Sequence, residues 1–114
     1  MKALKLVAAG TALFISSWTA QAGVTFDNIK SKGFVHCGVS TGVAGFSVND
    51  SKGGWIGLDV DLCRALAIAL FGDASKAKIQ AISAVQRFTA LQSGEVDVLT
   101  RNTTLTLTRD TTLG

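Results

Sequence analysis

The order of apolar and polar positions divides the chain into a leader and a run of short alternating elements. Residues 1–22, "MKALKLVAAGTALFISSWTAQA", start with Lys2 and Lys5, continue apolar, and close on Ala20-Gln21-Ala22. The apolar-to-small stretch of about 15 residues falls short of the roughly 20 that a membrane-spanning helix needs. A basic start, a short apolar core and a small-x-small end predict a signal peptide, cleaved after Ala22 to leave Gly23 as the new terminus. No Cys stands at that junction, so lipid anchoring is not expected.

After the leader, "TFDNIKSKG" (25–33) reads as a short helix, with Thr25 or Asp27 as its cap and Gly33 as its end. "FVHCGV" (34–39) is β-branched and aromatic, the composition of a strand, and runs into the glycine-spaced loop "STGVAG". "FSVND", "SKGG" and "WIG" form a hairpin pattern. In "DVDLCRALAIALFGD" (59–73), Val60, Cys63, Ala67 and Leu70 recur on one helical face. Asp59 is expected to cap its first turn, Asp61 to sit against the positive helix end, and Gly72 to end it. A strand follows over 78–83. The next helix is expected over 85–94, with Val85, Phe88 and Leu91 on one stripe and Gly94 as its stop. "VDVLT" (96–100) is a further strand. Strands alternating with helices predict an α/β fold, a parallel sheet with helical crossovers.

Charge narrows the function. The chain has 11 Lys+Arg against 8 Asp+Glu; without Lys2 and Lys5 the balance is nine against eight, or +1. No basic cluster remains that can follow a phosphate backbone, so no nucleic-acid binding is expected. The chain has no proline, and its last residues "TRDTTLG" supply no closing element. Residues 23–114 are therefore expected to be a piece of a larger protein.

In a parallel α/β sheet, ligands collect beyond the carboxyl ends of the strands. Three segments fall there: "STGVAGF", "SAVQR" and "RNTTLTLTR", offering backbone amides, hydroxyls and guanidinium groups. Arginine forks and hydroxyls are the donors that an anion needs, although a hydroxyl-rich run between elements also makes a solvated loop. Arg87 lies in the first turns of its helix beside the positive end, an unfavourable place unless an anion is bound; a surface arginine with a packed stem is the other reading. Arg109 follows the hydroxyl run and can begin a further helix. Cys37 and Cys63 are the only cysteines, and export permits a bridge between them; two buried thiols are the alternative. His36 and Cys37 are adjacent on a strand and point to opposite faces, so they cannot share a metal ion, and no metal site is expected. The glycine loop fits neither dinucleotide nor nucleoside-triphosphate fingerprints, so no cofactor is expected.

"GLDVDLCRALAIAL" resembles the signature of family 3 of the bacterial periplasmic solute-binding proteins, which take polar amino acids. Gly57, Leu58, Asp59, Val60, Asp61 and Leu62 fit that pattern, and "ALQSGEVDVL" and the hydroxyl run ending in Arg follow in the family's order. The resemblance implies the incomplete first lobe of a two-lobed, type II periplasmic-binding-protein fold, over residues 23–114, with the second lobe absent. It implies no enzyme but the periplasmic component of an amino-acid ABC transporter, a monomer that delivers free L-amino acids to a membrane permease. By motif position Arg109 would pair with the ligand's α-carboxylate, with Thr104 and the Asn102 backbone on the same head group. Arg87 matches a second arginine of glutamate- and aspartate-specific relatives and would face the ligand's side chain; Phe46 would pack on the ligand. The sequence departs from many relatives in Gly45, where they have Pro, and in Thr108, where they have Glu. Two alternatives share the fold: an exported dehydratase of the cyclohexadienyl type, and the sensing lobe of a receptor.

Overall fold

The computed structural model describes residues 23–113. The signal-peptide reading of residues 1–22 lies outside them. Helix α1 spans Val24–Lys32, β1 Val35–Val39, and the hairpin strands β2 and β3 are Val48–Asn49 and Trp55–Ile56. Helix α2 covers Leu58–Phe71; a short 3₁₀ turn leads to β4, Ala77–Ala81. Then come α3 (Arg87–Gln92), β5 (Val98–Leu99) and α4 (Leu107–Leu113). Among the described residues no helix is long and apolar enough to cross a membrane.

The main sheet has the order β4-β1-β5, and both pairings are parallel. The crossover from β1 to β4 runs one way across the sheet and that from β4 to β5 runs back. Right-handed crossovers in opposite directions put their helices on opposite faces. The packing agrees. Val35 and Cys37 of β1 are buried with Ile29 of α1 and with Cys63 and Ala67 of α2. On the other face Ile82 and Val96 close over Ala90 of α3. Each fully buried aliphatic side chain of this kind contributes about 1.5–3 kcal/mol.

Cys37 and Cys63 are bonded to each other, with Cα atoms 6.1 Å apart, and so tie the central strand to α2. The bridge sits inside the core cluster. Thiol titration of the denatured, non-reduced protein should find both cysteines blocked, and reduction should lower stability by about 2–4 kcal/mol. Two free thiols would overturn this prediction. At the amino end of the sheet Asp97 accepts from Lys32 Nζ at 2.7 and 2.9 Å and from the His36 amide at 2.9 Å. That carboxylate fastens α1 and β1 to the start of β5.

Several helix ends differ from the sequence expectation. α1 begins one residue earlier, so neither Thr25 nor Asp27 caps it; the Gly23 carbonyl accepts from the amides of Phe26 and Asp27. Asp59 does not cap α2. The orphan amides of that first turn go to the hairpin loop instead, Leu58 N to Gly45 O and Asp59 N to Phe46 O, both at 3.0 Å. α3 starts at Arg87, two residues later than expected, which leaves Val85 outside the helix and 89 % exposed. Ala90 is its buried residue, and Leu91 stays exposed. The stripe Val85, Phe88, Leu91 is therefore not the packed face. Gly33 and Gly72 end α1 and α2 as expected, each returning its amide to a helix carbonyl.

Candidate ligand site at the carboxyl end of the sheet

The three strands deliver their following residues to one edge. Ile82 N donates to Val39 O and Thr100 N to Gly38 O, both at 3.0 Å, so the segments after β4 and β5 continue alongside β1. Ser40, at the end of β1, is 1 % exposed; its carbonyl accepts from Ser47 Oγ at 2.9 Å and its own hydroxyl donates to Asn102 Oδ1 at 3.1 Å. The side chain of Asn102 thus locks the β5 exit onto the β1 exit. Asn102 itself and the residues 103–108 that follow are exposed.

Arg87 and Arg109 converge. Their guanidinium carbons lie 4.9 and 5.0 Å from the centre of the Phe88 ring. A ring face holds a cation by its quadrupole, which here offsets part of the repulsion between two like charges. Arg109, in the first turn of α4, also donates Nη1 to Thr104 O at 2.6 Å and its amide to the Thr106 hydroxyl oxygen at 3.2 Å. Its fork is thereby held over the hydroxyl run. Arg87 Nε is buried and has no acceptor among the described residues. Two guanidinium groups thus lie against one ring.

Phe46 is 41 % exposed at the rim, and its carbonyl is the acceptor that starts α2. Thr104 is exposed and meets Arg109 through its carbonyl. The sequence-derived set Phe46, Arg87, Asn102, Thr104 and Arg109 is thus distributed over the three exits, and Arg87 and Arg109 share the Phe88 ring.

Two residues in this region carry no assignment from sequence. Phe88 reads as a core residue because it falls at helical spacing from Leu91; only the tertiary structure makes it the shared platform of two arginines. Arg101 reads as part of the hydroxyl run. In the fold its Nη1 donates to the Ile82 carbonyl at the end of β4. Burial, then the neighbouring Arg87, lower its affinity for its proton, while Asp59 raises it. Asp59 is itself only 7 % exposed. Burial pushes its carboxyl above the ordinary carboxylate range, against the pull of Arg101.

One groove is lined by Gln80, Ile82, Gln86 and Glu95, without either arginine. A groove lined by Asn28, Lys32, Leu91 and Asp97 lies at the amino ends of the strands, away from the arginines. No group of three or more His, Cys, Asp or Glu suited to a metal ion occurs among the described residues.

A parallel α/β lobe with arginines and hydroxyls at the carboxyl edge of its strands defines a ligand-binding lobe of the type II periplasmic-binding-protein class. Residues 35–114 match the bacterial extracellular solute-binding proteins, family 3, and the chain belongs to that family. It is 52 % identical over 107 residues to the general L-amino acid-binding periplasmic protein AapJ of Rhizobium johnstonii, covering 94 % of this chain and 31 % of that protein. It is 46 % identical to the glutamate/glutamine/aspartate/asparagine-binding protein BztA of Rhodobacter capsulatus, over 82 % of this chain and 28 % of that one. Among solved structures, an ABC-transporter periplasmic binding protein from Brucella ovis with glutathione bound superposes with a TM-score of 0.76 at 57 % identity, over 82 % of this chain and 29 % of that chain. The chain therefore spans about a third of the length of the relatives it matches.

Proposed function

We propose that the full protein is the solute-binding component of an amino-acid ABC transporter, capturing polar and acidic L-amino acids in the periplasm. The observation that carries this reading is the convergence of Arg87 and Arg109 on Phe88, beside an exposed run of hydroxyls. Arg109 takes the α-carboxylate, with Thr104 and the Asn102 backbone on the same head group. Arg87 takes the distal carboxylate or amide, and Phe46 covers the ligand's apolar stem. Micromolar capture needs roughly 8 kcal/mol. Charge-assisted hydrogen bonds contribute about 1.5–3 kcal/mol each, so two arginine clamps supply much of it.

The mechanism is capture without chemistry. The ligand binds the open first lobe, a second lobe closes over it about a hinge, and the closed monomer docks on the membrane permease. Leu105 and Leu107, beside Arg109, are 81 and 80 % exposed, which supports a second body covering this edge. The names of the relatives at about half identity favour transport over the dehydratase and receptor alternatives. Nucleic acid, metal and cofactor have no part in this reading.

Calorimetry on the exported full-length protein tests it. Glutamate, aspartate, glutamine and asparagine should bind at micromolar concentration, and the terminus of the exported protein should be Gly23. Failure to bind any L-amino acid would overturn the reading.

A further inference from the structure

Three charged side chains at the carboxyl end of the sheet each keep a buried polar atom without a partner among the described residues. Asp59, in the first turn of α2, is buried, and its Oδ2 has no hydrogen-bond partner among the described residues. Arg101, just after β5, donates one nitrogen to the Ile82 carbonyl and keeps Nε buried without an acceptor. Arg87, at the start of α3, also keeps a buried, unpartnered Nε. Asp59 and Arg101 do not close into an ion pair; of the described residues only Lys32–Asp97 and Arg64–Asp61 do so. Arg101, half-buried, feels the charges of both Asp59 and Arg87, and partial burial screens such charges less than open water does. Two cations and one anion leave the group with a single positive charge.

We infer, building on the transport reading above, that Arg101 is a specificity-determining residue: it cancels the buried Asp59 carboxylate and leaves Arg87 as the unbalanced charge that the ligand's side chain meets. The pocket then takes amino acids with a distal carboxylate or amide and rejects those with a distal cation. Without Arg101 the Asp59 carboxylate is uncompensated, and its field favours an ammonium or guanidinium group over a carboxylate. The same backbone thus has an acidic or a basic preference according to one side chain. Specificity of this kind is a difference between affinities, set as much by what is repelled as by what is held.

Competition calorimetry with glutamate, glutamine and lysine on the full-length protein tests this. Arg101→Gln should lower the ratio of glutamate to lysine affinity by about tenfold or more. Arg101→Lys should keep the ratio, because the cancelling charge remains. Asp59→Asn in the Arg101→Gln background should return the ratio towards the wild-type value, since Arg87 again stands alone. A merely structural role would not produce that reversal. An unchanged ratio in Arg101→Gln, with wild-type binding intact, would overturn the inference and leave the transport reading standing. If Arg101→Gln does not fold, Asp59→Asn alone decides: a raised ratio supports the inference and an unchanged one overturns it. A wild-type protein that binds no amino acid overturns both.

Discussion

Arg109→Lys in the full-length protein should weaken every amino-acid ligand together, by about ten- to a hundredfold. Lysine keeps the charge but loses the planar fork that matches a carboxylate with two parallel hydrogen bonds. It also loses the bond from Nη1 to Thr104 O and the guanidinium contact with the Phe88 ring, the two features that hold this side chain in place. The loss should be uniform because every amino acid presents the same α-carboxylate. Arg87→Ala should differ in kind, weakening glutamate, aspartate and their amides more than small aliphatic amino acids, which have no distal polar group to lose. A ligand panel measured by calorimetry separates the two. A uniform loss from Arg87→Ala would mean that it shapes the site without reading the side chain, and selective loss from Arg109→Lys would exchange the two roles.

Gly57→Ala should destabilise the protein by about 3 kcal/mol or more. Gly57 has a φ of 125°, a conformation that side-chain-bearing residues avoid. A Cβ there would lie 2.3 Å from the Phe46 carbonyl oxygen and 2.5 Å from its carbon, and both atoms are backbone. Neither can move without opening the bond from Asp59 N to Phe46 O that begins α2. The damage therefore extends beyond stability. Phe46 and Asp59 flank the proposed pocket, so the folded fraction of the variant should also bind more weakly. Denaturant unfolding gives the first number and calorimetry the second. A variant within about 0.5 kcal/mol of wild type would show that the hairpin loop yields more freely than its bonds imply.

Regular elements were legible because each depends on local pattern. The period of Val60, Cys63, Ala67 and Leu70 marks α2 whatever it packs against, and Gly33 and Gly72 can return their amides from conformations other residues avoid. The parallel sheet follows from the alternation, since parallel strands need a crossover and the helices supply it. The positions of Arg87 and Arg109 after consecutive strands likewise placed them at one end of that sheet.

What the sequence could not give depends on partners far away in the chain. Asp59 carries every local mark of a cap, and fails as one because the carbonyls of Gly45 and Phe46 reach its turn first. Val85 fits a helical stripe, but α3 begins after it and turns Ala90 inward instead. Phe88 and Arg101 were hidden for the same reason: a ring between two arginines, or a guanidinium on the Ile82 carbonyl, exists only once β4, β5 and α4 are brought to one edge. Periodicity and motif are properties of neighbours along the chain, and the sequence by itself determined the fold class, the family and the end of the sheet where the ligand is sought. Charge balance in a buried site is a property of neighbours in space, and only the tertiary structure decided which acid faces which arginine.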